Sequence, residues 1–289
     1  MHRLFGIFKV AVILTVDFIV IYSMFKNLWI AAIVVGVVFL YTLFGGYIAL
    51  FKEGAISSRN LPIHQKNKLE SAKLRLVTDV KSANNINISG IKLYLIPDDD
   101  INATAYGFNC ISVTRGTLDN TDPITLNAVL AHEVSHILNF DAEFNRAVFC
   151  SVTLVVALLS ILSFAIATII FLISIVFGCF RSCLGVTAYR CAKKATRNIF
   201  NVLQRIIILT YRSLLSLISR YAEYRSDKFS FTLGYGVQLS HFLSLIESCE
   251  QQPLTLTEIL YRSHPPTSKR IAHLEKLLNI EYVNRIANR

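Results

Sequence analysis

Charge is scarce in this sequence. Only 17% of its 289 residues are Asp, Glu, Lys or Arg, against 53% hydrophobic residues and a mean hydropathy of +0.50. That balance excludes one ordinary soluble domain and makes membrane segments the natural explanation. The absence is complete from Leu28 to Phe51, between Lys26 and Lys52, where a helix would exceed the roughly 30 Å hydrocarbon core. Leu4 to Phe25 is apolar except for Lys9, which can snorkel near an end, and Asp17, which is costly at mid-membrane. This stretch has no small-residue cleavage site of the kind a signal peptide carries, so the two stretches together read as an uncleaved membrane hairpin. Charge is missing again from Ala147 to Phe180, which is either one long tilted helix or a tight hairpin. From Asn198 to Ser219 the chain is mostly apolar but carries Arg205 and Arg212. It reads as a fourth span packed inside the bundle.

Other absences narrow the function. The net charge of +10 is accompanied by no nucleic-acid motif, so no nucleic-acid partner is expected. The Lys and Arg gather beside the apolar blocks, at Lys52, Arg59, Lys66 and Lys68 and again at Arg181, Arg190, Lys193, Lys194 and Arg197, as membrane-flanking charge does. The first group places the region after Lys52 in the cytoplasm; the second argues against a single crossing by the Ala147 to Phe180 block. Cys179, Cys183 and Cys191 cluster loosely without a strong zinc spacing, and free thiols in a reducing cytosol are expected. Asp98, Asp99 and Asp100 lack the alternating ligands and Gly of a calcium loop and read as a solvated turn. No internal repeat or low-complexity tract is visible.

Between Glu53 and Arg146 the composition turns ordinary. Leu69, Ala72, Leu76 and Val80 recur at helical spacing and predict a helix over Lys66 to Ser82, broken by Asn84, Asn85, Asn87 and Gly90. Ile91 to Ile96 reads as a strand, and two short extended segments follow at Ala103 to Tyr106 and Cys110 to Thr114, giving a small sheet. Asp122 before Pro123 is a helix start. Leu126, Val129, Leu130, Val134, Ile137 and Leu138 supply that helix with a buried face.

On this helix His132, Glu133, Val134, Ser135 and His136 form H-E-x-x-H. Histidines at i and i+4 lie one turn apart on one face, so both can reach one metal ion. Zn²⁺ suits imidazole and, with three protein ligands, keeps a position open for water. Glu133 is placed to act as base on that water. A second helical segment, Arg220 to Asp227, offers Glu223 as third ligand, with Asp227 accepting a hydrogen bond from a ligating histidine's outer nitrogen. Taken alone, two acids four apart near Arg220 and Arg225 read more often as surface salt-bridge partners; only the H-E-x-x-H motif lifts the pair.

These blocks, in this order, resemble the HtpX-like membrane zinc metalloproteases, related to the CAAX prenyl proteases. The resemblance runs over nearly the whole chain: the N-terminal hairpin, Asn102-Ala103-Thr104-Ala105-Tyr106-Gly107, His132 to His136 followed by Asp141, Glu223 to Asp227, and His264-Pro265-Pro266 with Arg270 and Ile271. It departs at Phe140, where relatives often have Gly, at Ser226, where Ala is usual, and in the Arg-bearing fourth apolar segment. It implies one Zn²⁺ per chain held by His132, His136 and Glu223, and a substrate edge strand at Asn102, Ala103 and Ala105. It also implies His264 and Arg270 near the metal, where they could steady an oxyanion; their other reading is a helix-start turn with a surface ion pair. The fold it implies is an α-helical membrane protein with a small α+β catalytic domain of the zincin, here gluzincin, type. Its parts would be a hairpin over 1–52, catalytic portions over 53–146 and 220–289, and a membrane region over 147–219. The function implied is a zinc endopeptidase acting on membrane proteins in quality control, in a bacterial inner membrane with its catalytic side in the cytoplasm. A prenyl-protein processing protease and a non-catalytic zinc-stabilised scaffold are the alternatives, and intact Glu133 argues against the scaffold.

Overall fold

A computed structural model describes residues 2–176, 183–249 and 265–287. It divides into two compact units, Met1–Ala147 with Ser216–Arg289, and Val148–Leu215. The first unit begins with helices α1 (His2–Phe25) and α2 (Leu28–Lys52). The turn between them places Lys26 in the left-handed region at φ 51°. Asn27 then caps α2, its Oδ1 accepting from the amides of Trp29 at 2.9 Å and Ile30 at 3.1 Å.

The sheet follows the order β1-β2-β4-β3, with β1 at Ile56–Ser57, β2 at Lys92–Ile96, β3 at Ala103–Tyr106 and β4 at Cys110–Thr114. β2 and β4 are parallel, while β1 and β3 run antiparallel to their neighbours. Helix α2 is seated on the β3–β4 turn through Gly46, where a Cβ would lie 2.6 Å from the Gly107 amide nitrogen. Tyr47 donates to Asn109 Oδ1 at 3.0 Å and Tyr106 to Glu53 Oε2 at 2.6 Å, tying the hairpin to the sheet.

Helix α3 (Ile63–Asn84) buries Leu69, Ala72, Leu76 and Val80, the residues whose spacing predicts it. It outruns its predicted ends on both sides, and Asn85 closes it in the left-handed conformation at φ 54°. After the short α4 (Arg115–Asn120), α5 (Pro123–Asn139) starts on Asp122, whose carboxylate accepts from the Ile124 amide at 2.8 Å. Leu126, Val129, Leu130, Val134, Ile137 and Leu138 are all buried, packing α5 into one core with α3 and the sheet. Burial of each such side chain contributes on the order of 1.5–3 kcal/mol. Asp98 to Asp100 form an exposed turn against α4, with Arg115 paired to Asp99 at 2.7 Å.

Helix α6 (Asp141–Val176) and helix α7 (Cys183–Ser230) follow. A five-residue π turn, Phe231–Tyr235, then leads into α8 (Gly236–Cys249), and α9 (Thr267–Ala287) packs against α8. Leu239, Phe242, Leu243 and Leu274 join the core. Ser230 Oγ donates to the Ala128 carbonyl at 3.0 Å, Asn127 Nδ2 donates to the Tyr235 hydroxyl at 3.4 Å, and that hydroxyl donates to Asp79. These bonds hold the end of α7 against the back of α5.

In the second unit α6 and α7 run antiparallel, Gln204 Nε2 donating to Ser160 Oγ at 2.9 Å and Phe171 meeting Tyr189 at 5.9 Å. Of the two readings for the third apolar block, the continuous helix is the one observed through Val176. From Ala147 to Val176 there is no Gly or Pro to turn the chain. The expectation that Arg205 and Arg212 lie inside a bundle is corrected: both are exposed on α7, because a two-helix pair encloses no interior. Among the described residues, Leu4–Phe25, Leu28–Lys52, Asp141–Val176 and Tyr189–Glu247 are long and apolar enough to cross a membrane. Cys110, Cys150 and Cys191 are free thiols; Cys179 and the side chains of Cys183 and Cys249 lie outside the described residues.

Candidate active site

Helix α5 presents His132 and His136 on one face, their Nε2 atoms 3.2 Å apart. Glu223, on α7, faces both: Oε2 lies 3.3 Å from His132 Nε2 and Oε1 lies 3.4 Å from His136 Nε2. One ligand atom from each of the three residues falls within 4.8 Å of the others, a separation a single ion could bridge. All three carry little exposure, Glu223 only 4%.

The outer nitrogens are engaged by carboxylates. His132 Nδ1 donates to Asp227 Oδ1 at 2.9 Å and His136 Nδ1 to Asp141 Oδ2 at 2.9 Å. With Nδ1 held by a carboxylate, each Nε2 is turned inward, so that loss of its proton presents a lone pair to a metal. Asp227 sits one turn beyond Glu223, as the spacing predicts. Asp141 reaches His136 because α5 ends at Phe140 in the left-handed conformation, φ 57°, and α6 starts at once. Gly is the easier residue there; the Phe140 ring is instead packed edge-on to Phe108, with centroids 5.4 Å apart.

Arg270, near the start of α9, is buried at 9% exposure, so its surface ion-pair reading is corrected. Its Nε and Nη2 donate to Asp227 Oδ2 at 2.9 Å and Oδ1 at 2.6 Å, and its Nη1 lies 3.0 Å from Glu223 Oε2. This bidentate grip and the second carboxylate raise its pKa further against the opposing effect of burial. Burial disfavours the charged form of His136, but hydrogen bonds to Asp141 and Glu223 outweigh it and hold the pKa at about 10. His132 is raised for the same reason, burial being outweighed by Asp227 and Glu223.

The site opens into a cavity of about 800 Å³ that Glu133 also lines, between the Ile101 to Ala105 stretch on one side and Phe242, Leu243 and Pro265 on the other. β3 ends the sheet. The Thr114 amide donates to the Asn102 carbonyl at 3.0 Å, and antiparallel alternation then turns the main-chain groups of Ala103 and Ala105 toward the free side. His264 lies outside the described residues. The sequence reading missed Asp141 as His136's partner, although the acid is visible five residues after that histidine.

Apolar helices long enough to cross a membrane, together with a buried His, His, Glu cluster beside an open cavity, define a candidate membrane metalloprotease. Residues 64–278 match the family model of peptidase family M48, and the chain belongs to that family. It is 23% identical over 257 residues to protease HtpX of Pseudoalteromonas atlantica (strain T6c / ATCC BAA-1087), covering 80% of this chain and 81% of that one. To protease HtpX of Photorhabdus laumondii subsp. laumondii it is 28% identical over 235 residues, covering 73% and 74%. Among solved structures it resembles S. mikatae Ste24p with a TM-score of 0.52 and 21% identity, over 90% of this chain and 62% of that one. That likeness concerns the fold. The chain is thus an integral membrane metalloprotease, a hydrolase of polypeptides.

Proposed function

We propose that the protein is a zinc-dependent endopeptidase of the bacterial inner membrane, holding one Zn²⁺ through His132, His136 and Glu223 and cleaving membrane proteins on the cytoplasmic side as a quality-control protease. One observation carries this reading: two imidazole nitrogens and a carboxylate converge within 4.8 Å while Asp227 and Asp141 hold both outer nitrogens. Two His and one Glu suit Zn²⁺ and leave a coordination position open. Once bound, zinc would polarise the substrate carbonyl and bring water's pKa toward about 7.

The chain's own residues supply the rest. An extended substrate segment adds along β3, the amides and carbonyls of Ala103 and Ala105 pairing with its main chain and Asn102 fixing the strand's start. Glu133 takes a proton from the attacking water as its oxygen bonds to the carbonyl carbon, then gives that proton to the amide nitrogen as the C–N bond breaks. Products are a carboxylic acid and an amine, which leave as carboxylate and ammonium once the remaining water proton passes to the amine. Three of Arg270's five N–H donors engage Asp227 and Glu223, so it orients the carboxylates around His132; its remaining N–H groups and His264 are the candidates to steady the oxyanion. The catalytic unit is built from 53–146 and 220–289, and 147–219 anchors it. The test is cleavage of casein by purified detergent-solubilised protein. Activity should vanish with a chelator and return with about one equivalent of Zn²⁺; chelator-resistant cleavage would refute the reading.

A further inference from the structure

We propose that Lys9, on the first membrane helix, is a positioning residue for the metal site, fixing the Asp141 carboxylate that in turn holds His136. The inference rests on the reading that His132, His136 and Glu223 hold the ion. A lysine inside an apolar span is costly unless it has a partner, and this one is not directed to bulk water. Its Nζ lies 3.6 Å from Asp141 Oδ1, with 19% of its side chain exposed. The rings of Phe5 and Phe144 flank it, centroids 5.6 and 5.1 Å from the ammonium.

Its reach depends on Gly6, one turn earlier on the same face of α1. A Cβ there would lie 2.8 Å from the Asn139 carbonyl oxygen and 2.7 Å from Phe140 Cδ2. Without a side chain at that position, α1 lies directly against the C-terminal end of α5, the helix that carries both histidines.

The division of Asp141's two oxygens gives Lys9 its role. Oδ2 accepts from His136 Nδ1 at 2.9 Å and also from Arg225 Nη2, so these donors share one atom. Lys9 holds Oδ1. With both oxygens engaged, the carboxylate is fixed with Oδ2 toward the imidazole. With Lys9 neutralised, Oδ1 is released and the Arg225 fork is free to take both oxygens, the geometry guanidinium prefers. That turns the carboxylate away from His136 and loosens the orientation of its ring. The first span is therefore part of the metal site's support as well as a membrane anchor.

The test titrates Co²⁺ into full-length detergent-purified protein, reading the dissociation constant and the visible absorption band. Lys9→Met should weaken Co²⁺ binding by roughly tenfold, the lower end for outer-shell partners of a metal ligand, and shift the band. Lys9→Arg should restore both. In an Asp141→Asn background Lys9→Met should add nothing, because the contact is already gone. Lys9→Gln takes the place of Lys9→Met if the latter does not remain monodisperse and helical. Wild-type affinity and spectrum in a folded neutral variant would overturn the inference, as would a loss that Arg does not rescue or that adds fully to Asp141→Asn. If both neutral variants unfold while Lys9→Arg folds, Lys9 is a folding residue and the inference fails. Absence of stoichiometric Co²⁺ binding by the wild type would instead overturn the metal-site reading on which it rests.

Discussion

Replacing Asp227 with Asn removes one charge and almost no volume, which isolates the electrostatic part of its role. Asp227 Oδ1 receives His132 Nδ1 at 2.9 Å and Arg270 Nη2 at 2.6 Å, and Oδ2 receives Arg270 Nε at 2.9 Å. An Asn can keep its carbonyl at the shared position, but its NH₂ then faces the Arg270 Nε–H, donor against donor. The imidazole loses a charged acceptor, and the guanidinium keeps only Glu223, 3.0 Å from Nη1, as a carboxylate partner. Arg270 then competes with the metal for that Glu. Loss of an outer-shell partner costs about 10- to 100-fold in metal affinity, and two disturbed partners place Asp227→Asn near the upper end, about 2.7 kcal/mol. In the metal-free protein the broken buried pair costs about 3–5 kcal/mol in stability. Zinc affinity measured by competition with a chelator of known strength, together with thermal unfolding with and without zinc, checks both numbers. A folded variant with wild-type zinc affinity would refute the reasoning.

Three further outcomes are expected. Zinc uptake should strengthen steeply from pH 6 to pH 9, because without the metal the His132 pKa is raised and the His136 pKa is held at about 10, and binding must displace the protons these rings carry. The sign is opposite for the stability of the metal-free fold: the raised His pKa values contribute stability fully below about 6.5, and it is lost as pH rises toward 10; binding isotherms and melting curves over one pH series read both trends. Ala103→Pro should raise KM by about tenfold or more at unchanged zinc content, since it removes a main-chain donor from the free side of β3 and leaves the β4 side paired; peptide kinetics with metal analysis tests this, and an unchanged KM would dissociate β3 from substrate binding. Topology reporters after Gly54 and after Arg289 should both report cytoplasm, and one between α6 and α7 the opposite side, because those helices run antiparallel; disagreement of the first two would separate Glu223 from the histidines.

The sequence made the chemistry legible where it was local. Asp122, Pro123 and the apolar positions of α5 determine a helix, and a helix determines that His132 and His136 meet; the same logic pairs Glu223 with Asp227. Contacts that depend on how distant segments pack were less legible. Arg270 keeps two readings along the chain, near the metal or in a surface ion pair, because its acid partners are remote in sequence; α9 docks it onto two acids of α7. Asp141 joins His136 only through the left-handed turn at Phe140, a conformation for which Phe gives no local signal. Lys9 reads as a snorkelling residue because its carboxylate partner is remote in sequence. The continuous α6 was legible as one of two readings, and the exposed Arg205 and Arg212 were misread because burial was argued from charge alone.

The claim that zinc and Glu133 together perform the hydrolysis is tested most directly by one variant, Glu133→Gln, assayed for metal and turnover in the same preparation. Gln fills the same space and is not a ligand in this account, so the purified variant should retain about one equivalent of zinc while casein cleavage falls by at least ~100-fold, the contribution of a general base. A Glu133→Gln protein that keeps its zinc and cleaves at a rate near wild type would contradict the account.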